Sequence, residues 1–132
     1  MTDHYFTLEE AQETVGWLED IFQSLAPQRL KAKELYEEIQ ALQKLERSNG
    51  GGEVAQSIAT HRRELARATE RIEGKLRPVR ERGIMVKDIE QGLVDFPHMM
   101  DGRVVFLCWI AGESEIRFWH DLTTGLAGRQ PL

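Results

Sequence analysis

The sequence predicts an α+β fold: an N-terminal antiparallel helical hairpin built from three helices, then a three-stranded antiparallel β-meander with a docked C-terminal tail. Three observations predict it. Apolar residues recur at helical steps of three and four from Leu8 to Leu76, and after Gly83 they give way to short runs rich in β-branched and aromatic residues. The glycine run Gly50-Gly51-Gly52 divides the helical part, and Asp101-Gly102 divides the longest strand-like segments. The whole of residues 1–132 reads as a single domain, helical over 1–83 and meander plus tail over 84–132.

The first helix opens on a capping box. Thr7 can accept from the backbone of Glu10, and Glu10 can reach back, with Phe6 as a staple against Ala11. Leu8, Ala11, Val15, Leu18, Ile21, Phe22 and Leu25 give it one apolar face. Pro27 is expected to end that run and to open a second helix, which carries Leu30, Leu35, Ile39, Leu42 and Leu45 to about Arg47. The third helix starts near Glu53. Its Val54, Ile58, His61, Leu65, Ala68, Ile72 and Leu76 form a heptad seam, which predicts coiled-coil packing on the second helix. At about 1.5 Å per residue the third helix should outrun the second by about 15 Å, with a kink or break near Gly74–Pro78 and a C′ glycine at Gly83.

In the second half, Ile84-Met85-Val86 is a short apolar piece. Leu93–Pro97, Arg103–Ile110 and Glu115–Trp119 are the three strands, joined by turns at Asp101-Gly102 and Ala111–Ser114. The middle strand is apolar on both faces, so both faces need cover. Helices supply one cover; the tail, the first helix or a second subunit supplies the other.

Composition excludes several classes. The longest apolar run, Val104 to Ala111, is far short of the roughly 20 residues that span a bilayer. No secretory signal opens the chain, and one cysteine, Cys108, forms no intramolecular disulfide framework, so the expected compartment is the cytoplasm. A net charge of −5 argues against nucleic acid as a partner. Residues 84–132 hold 4 Lys/Arg against 7 Asp/Glu, which suits a cation better than a phosphate. The stripe Arg63, Arg67 and Arg71 sits among glutamates and reads as a solvated ion-pair lattice.

No established catalytic or metal motif is present. Gly50-Gly51-Gly52 lacks the Lys-Ser/Thr of a phosphate loop and reads as a hairpin turn. The densest polar set follows Gly112, together with Asp95, which interrupts the apolar run Leu93–Phe96. Asp95, Glu113, Glu115 and Arg129 are the candidate ligand-binding residues. Glu113, His120 and Asp121 are the candidate ligands of a divalent metal, because carboxylates with an imidazole suit such an ion. Each has a structural alternative: a turn cap for Asp95, a sheet-edge histidine for His120, and salt bridges for the two glutamates and Arg129. Cys108, mid-strand, reads as an inert buried thiol, and His61 as a polar register residue.

Tyr5-Phe6-Thr7-Leu8-Glu9-Glu10-Ala11, Val86-Lys87-Asp88, Gly92–Pro97, Leu107-Cys108-Trp109, Gly112-Glu113, Trp119-His120 and Gly128-Arg129-Gln130-Pro131 resemble the prokaryotic domain-of-unknown-function family 2203 along nearly the whole chain. The resemblance implies a free-standing prokaryotic cytoplasmic protein and carries no activity or functional residue with it. Two readings of function stand side by side, ahead of a third, an RNA-associated factor that uses the arginine stripe of the third helix. One is a small-ligand or divalent-metal binding domain sited on the meander. The other is an interaction module, or a homodimeric structural protein, that uses the helical hairpin. Self-association into a dimer is expected on separate grounds, from the two-sided apolar strand and the surplus of apolar surface.

Overall fold

A computed structural model describes residues 4–49 and 51–132. The chain divides into two compact units, one formed by its start through Gln23 with Leu76–Leu132, the other by Ser24–Lys75. The fold is α+β, with helices α1 (Leu8–Glu13), α2 (Val15–Asn49) and α3 (Gly52–Glu81) preceding an antiparallel sheet.

The helix boundaries differ from the expected ones at two points. The capping box forms as the sequence indicates, with Glu10 N–H donating to Thr7 Oγ1 at 3.0 Å and Thr7 N–H donating to Glu10 Oε1 at 2.8 Å. The helix then ends at Glu13, not near Leu25. Both the hydroxyl and the N–H of Thr14 donate to the Ala11 carbonyl, at 2.7 and 3.0 Å, which closes the turn. Pro27 lies inside α2 and does not start a helix. A proline removes one helical hydrogen bond, and burial of Leu18, Phe22, Leu25, Leu35 and Ile39 along α2 outweighs that loss. With 35 residues in α2 and 30 in α3, the expected surplus of the third helix over the second does not exist. Helix α3 also continues through Gly74 and Pro78 without a break. Gly83 ends the turn with φ +88°, its N–H on the Arg80 carbonyl at 2.9 Å, in the C′ role expected of it.

In the Ser24–Lys75 unit, Leu25, Leu35, Ile39, Ile58, Ala68 and Ile72 are buried. His61 of α3 reaches Glu38 of α2 at 2.7 Å, and its other nitrogen meets the Ser57 carbonyl at 2.6 Å. Each residue lies about three turns from the chain reversal, so the helices run antiparallel as a hairpin. The Ser57 carbonyl first, and Glu38 after it, raise the His61 pKa, because both favour the doubly protonated ring. Of the glycine run, Gly50 lies outside the described residues, Gly51 is in the connection and Gly52 begins α3.

The sheet has five strands and not three, in the order β1 (Met85–Asp88), β2 (Leu93–Met100), β3 (Arg103–Ile110), β4 (Phe118–His120) and β5 (Gln130–Pro131). Two strands escape the periodicity argument because they are too short to show a period. One is the Met85–Asp88 segment, and the other is the tail, which docks as β5 against β4. The third expected strand also starts late, at Phe118, so Glu113 and Glu115 lie in the β3–β4 loop. Asp101 and Gly102, with φ +51° and +81°, form the two-residue β2–β3 turn that the sequence marks. Gly92 is required twice over: φ is +70°, and a Cβ there would sit 2.5 Å from the Ala111 Cβ.

One face of the sheet carries Val94, Phe96, Val105, Leu107 and Trp109, all at 0% exposure. The segment before α1 and the start of α2, in the same unit, cover it, with Phe6 on Phe96 at 5.2 Å and Phe22 on Trp109 at 6.2 Å between ring centroids. The opposite face carries Asp95, Pro97, Phe106, Cys108, Phe118 and His120, and the tail lies across part of it. No helix among the described residues is long and apolar enough to cross a membrane.

Candidate functional site

The second face of the sheet concentrates the polar chemistry. Strand register sets it: Asp95 lies opposite Cys108, and Phe106 lies opposite both Pro97 and His120. Directly opposed residues share a face, so the carboxylate, the thiol and the imidazole project the same way from three adjacent strands. One ligand atom of each lies within 4.8 Å of the other two. Asp95 is 2% exposed, Cys108 0% and His120 3%.

His120 is held at both nitrogens. Nδ1 donates to the Asp121 carbonyl at 2.8 Å, which leaves Nε2 facing Asp95 Oδ1 at 3.0 Å. A proton shared between Nε2 and Oδ1 makes the pair either carboxylate and imidazolium or carboxylic acid and imidazole. Phe106 packs against the ring, centroids 5.4 Å apart.

A second polar pair flanks the first. Arg129 Nη2 donates to both Glu113 oxygens, at 2.7 and 3.0 Å, and to the Cys108 carbonyl at 3.4 Å. Its guanidinium lies 4.2 Å from the Phe118 ring centroid, and its Nε is buried without a hydrogen-bond partner. Glu113 also accepts from the Ile110 N–H at 2.8 Å, while its own carbonyl accepts from Trp109 Nε1 at 2.9 Å. Glu113 thus ties the β3–β4 loop, the middle strand and the tail together.

Burial pushes the Cys108 thiol up to about 11 from an ordinary 9.0, with Arg129 opposing the shift and Asp95 and Glu113 reinforcing it. The folded protein therefore holds this proton more tightly than the unfolded chain does. Its stabilising contribution is full below about pH 9 and is lost as pH rises to about 11. Cys108→Ala is expected to remove an alkaline slope of at most about 1.4 kcal/mol per pH unit from urea-unfolding free energies. Parallel slopes for mutant and wild type would contradict the shift.

Of the expected ligand-binding residues, Asp95, Glu113 and Arg129 lie around Cys108, while Glu115 is exposed and pairs with Arg117 at 3.0 Å. Of the expected metal ligands, His120 turns to Asp95, Glu113 engages Arg129, and the Asp121 carboxylate pairs with Arg103. Asp121 still contributes through its carbonyl, which orients His120. Cys108 is the member that reading by local pattern passes over. Counting from the Asp101-Gly102 turn finds it: Asp95 is six residues before the turn and Cys108 six after, so a two-residue hairpin pairs them.

The chain belongs to the family DUF2203, described as an uncharacterized conserved protein, which it matches over residues 4–132. No curated protein and no solved structure matches it.

Proposed function

We propose that this DUF2203 protein is a divalent-metal-binding domain whose ligands are Asp95, Cys108 and His120. The observation that carries the reading is the convergence of an oxygen, a sulfur and a nitrogen donor within 4.8 Å on a buried sheet face. The Nδ1–H bond to the Asp121 carbonyl supports it further, because metal-binding histidines are commonly oriented by such a bond on the far nitrogen. A mixed N/S/O set favours zinc or iron over magnesium or calcium, which prefer all-oxygen sites. Three protein ligands leave a coordination position for a small ligand, and an ion bound there would supply Lewis acidity. Asp95, Glu113 and Arg129 remain the proposed small-ligand contacts. A lone thiol kept reduced fits a cytoplasmic setting.

Binding must expel the Cys108 proton and the one held between His120 and Asp95, so affinity should rise with pH by at least about tenfold per unit below the thiol range. The test is cobalt(II) titration of tag-free, chelator-treated protein, followed by absorption. One equivalent with a cobalt–thiolate charge-transfer band, lost in Cys108→Ser and in His120→Ala, is the expected result. Absence of cobalt binding in wild type, or a band that survives Cys108→Ser, overturns the assignment.

A second reading has its own support. Leu30, Tyr36 and Leu45 of α2 are 58%, 55% and 44% exposed, apolar surface that an interaction module or a homodimer would cover. Sedimentation of wild type against Leu30→Glu/Tyr36→Glu decides it, since a monomeric wild type leaves the dimer without support.

A further inference from the structure

The members of the Asp95–Cys108–His120 group are at most 3% exposed, and the first face behind them is packed with side chains at 0% exposure. Entry from that side would break the core of the unit. On the second face Cys108 is shielded by Phe118, its partner in the register, and by Arg129. The Arg129 guanidinium lies 4.2 Å from the Phe118 ring centroid and donates to the Cys108 carbonyl at 3.4 Å. Arg129 belongs to the segment that follows β4, and none of residues 121–132 is buried. That segment is held by the pairing of Pro131 with Phe118 and Gln130 with Trp119, by the Leu132 N–H on the Arg117 carbonyl at 2.9 Å, and by Arg129 on Glu113. With no side chain anchored in the core, it opens at lower cost than the strands beneath it. Its closed state also carries a penalty, because Arg129 Nε is buried without a hydrogen-bond partner.

We infer that residues 121–132 form a strap that opens to give access to the Asp95–Cys108–His120 group, with the Glu113–Arg129 pair as its latch. The inference rests on the metal-binding reading for what enters, while the opening itself needs no metal. The strap has a fixed fold of its own. A Cβ on Gly128 would lie 2.3 Å from the Thr124 Cβ, so the segment turns tightly on itself just before Arg129. At its root, the N–H and the hydroxyl of Thr124 both reach the Asp121 carbonyl at 3.4 Å, the same carbonyl that accepts from His120 Nδ1 at 2.8 Å. The root of the strap therefore bears on the group that orients His120, and its far end bears on Cys108. Closure sets both and returns Arg129, a proposed small-ligand contact, to the site. Short segments that close over a site in this way exclude water and retain what has bound.

Cys108 is the sole thiol of the chain, so dithiobis(nitrobenzoate) reports its accessibility. The thiolate attacks the reagent's disulfide, releases one thionitrobenzoate and keeps the other half as a mixed disulfide. The full chain is labelled in chelator as wild type, Arg129→Met and Gly128→Val, with amide exchange of residues 93–109 followed in parallel. Arg129→Met removes the latch, and Gly128→Val unseats it while leaving both partners in place. Both are expected to be labelled faster than wild type by about tenfold or more, with exchange of residues 93–109 unchanged. Loss of charge alone has the opposite sign: Arg129 favours the Cys108 thiolate, so without opening Arg129→Met would slow the reaction. Labelling no faster than wild type in either variant overturns the strap. So does faster labelling matched by faster exchange in residues 93–109, which marks opening of the sheet itself. Cobalt(II) association should quicken in the same variants, and an unchanged rate beside faster labelling overturns the role in ion entry. A wild type that takes up no cobalt overturns the metal reading, whereas the thiol rates alone decide the strap.

Discussion

Asp95→Ala is expected to lower the unfolding free energy by on the order of 3 kcal/mol, because it leaves a buried imidazole nitrogen without a partner. His120 and Asp95 are 3% and 2% exposed, so water cannot readily replace the lost contact. His120→Ala should cost a similar amount for the reciprocal reason. The double variant should cost less than the sum of the two, by about 1–3 kcal/mol, since the second change removes a group already stranded by the first. Asp95→Asn keeps an acceptor oxygen and the side-chain volume, and should sit between wild type and alanine. Urea unfolding of these variants in chelator, against wild type, measures the coupling. Strict additivity would mean that the 3.0 Å contact contributes nothing to stability. The same variants serve the metal reading, where they are judged by cobalt binding and not by stability.

That pair also shows how far a sequence can be read. Asp95 stands out as a lone charge in an apolar strand, and His120 as an imidazole at a strand end, so both are visible as single residues. Their meeting depends on β4 lying beside β3 with Phe106 opposite His120, a register that a loop of unknown geometry sets. The β2–β3 register is different. Asp101-Gly102 dictates a two-residue turn, and the pairing of Asp95 with Cys108 follows from it by counting. Glu113 illustrates the opposite limit. Its pairing with Arg129 depends on a tail with no period of its own, which becomes ordered by adding two residues to a sheet edge.

The helices fail for another reason. Pro27 is a strong local signal, and α2 overrides it because an apolar stripe continues on both sides of it. Thr14 is a weak local signal, and it ends α1 because its hydroxyl competes for a helical carbonyl while the residue is buried. Propensity alone ranks these two breakers in the wrong order. What decides between them is where the buried residues fall.

Trp109→Ala is expected to cost the most of any single tryptophan change, about 3–5 kcal/mol. Its ring is fully buried against Phe22, and its Nε1–H holds the Glu113 carbonyl at 2.9 Å. Trp17 lies under the Arg82 guanidinium, 3.8 Å from its ring centroid, at a half-buried position. There a truncation to alanine forfeits a cation–π contact and part of an apolar face, about 1 kcal/mol. Trp119, half-buried on β4 with Arg103 at 5.6 Å from its ring, should fall between the two. Trp109→Phe separates the two roles of Trp109, because it keeps most of the apolar body while leaving the Glu113 carbonyl without its donor. It should cost about 1–3 kcal/mol through the unpaired carbonyl. If that carbonyl anchors the loop, Trp109→Phe should also loosen the Glu113–Arg129 clasp and speed amide exchange in residues 111–117. Exchange there unchanged from wild type would confine Trp109 to the core. A Trp17→Ala variant less stable than Trp109→Ala would overturn the assignment of the sheet's first face as the core of this unit.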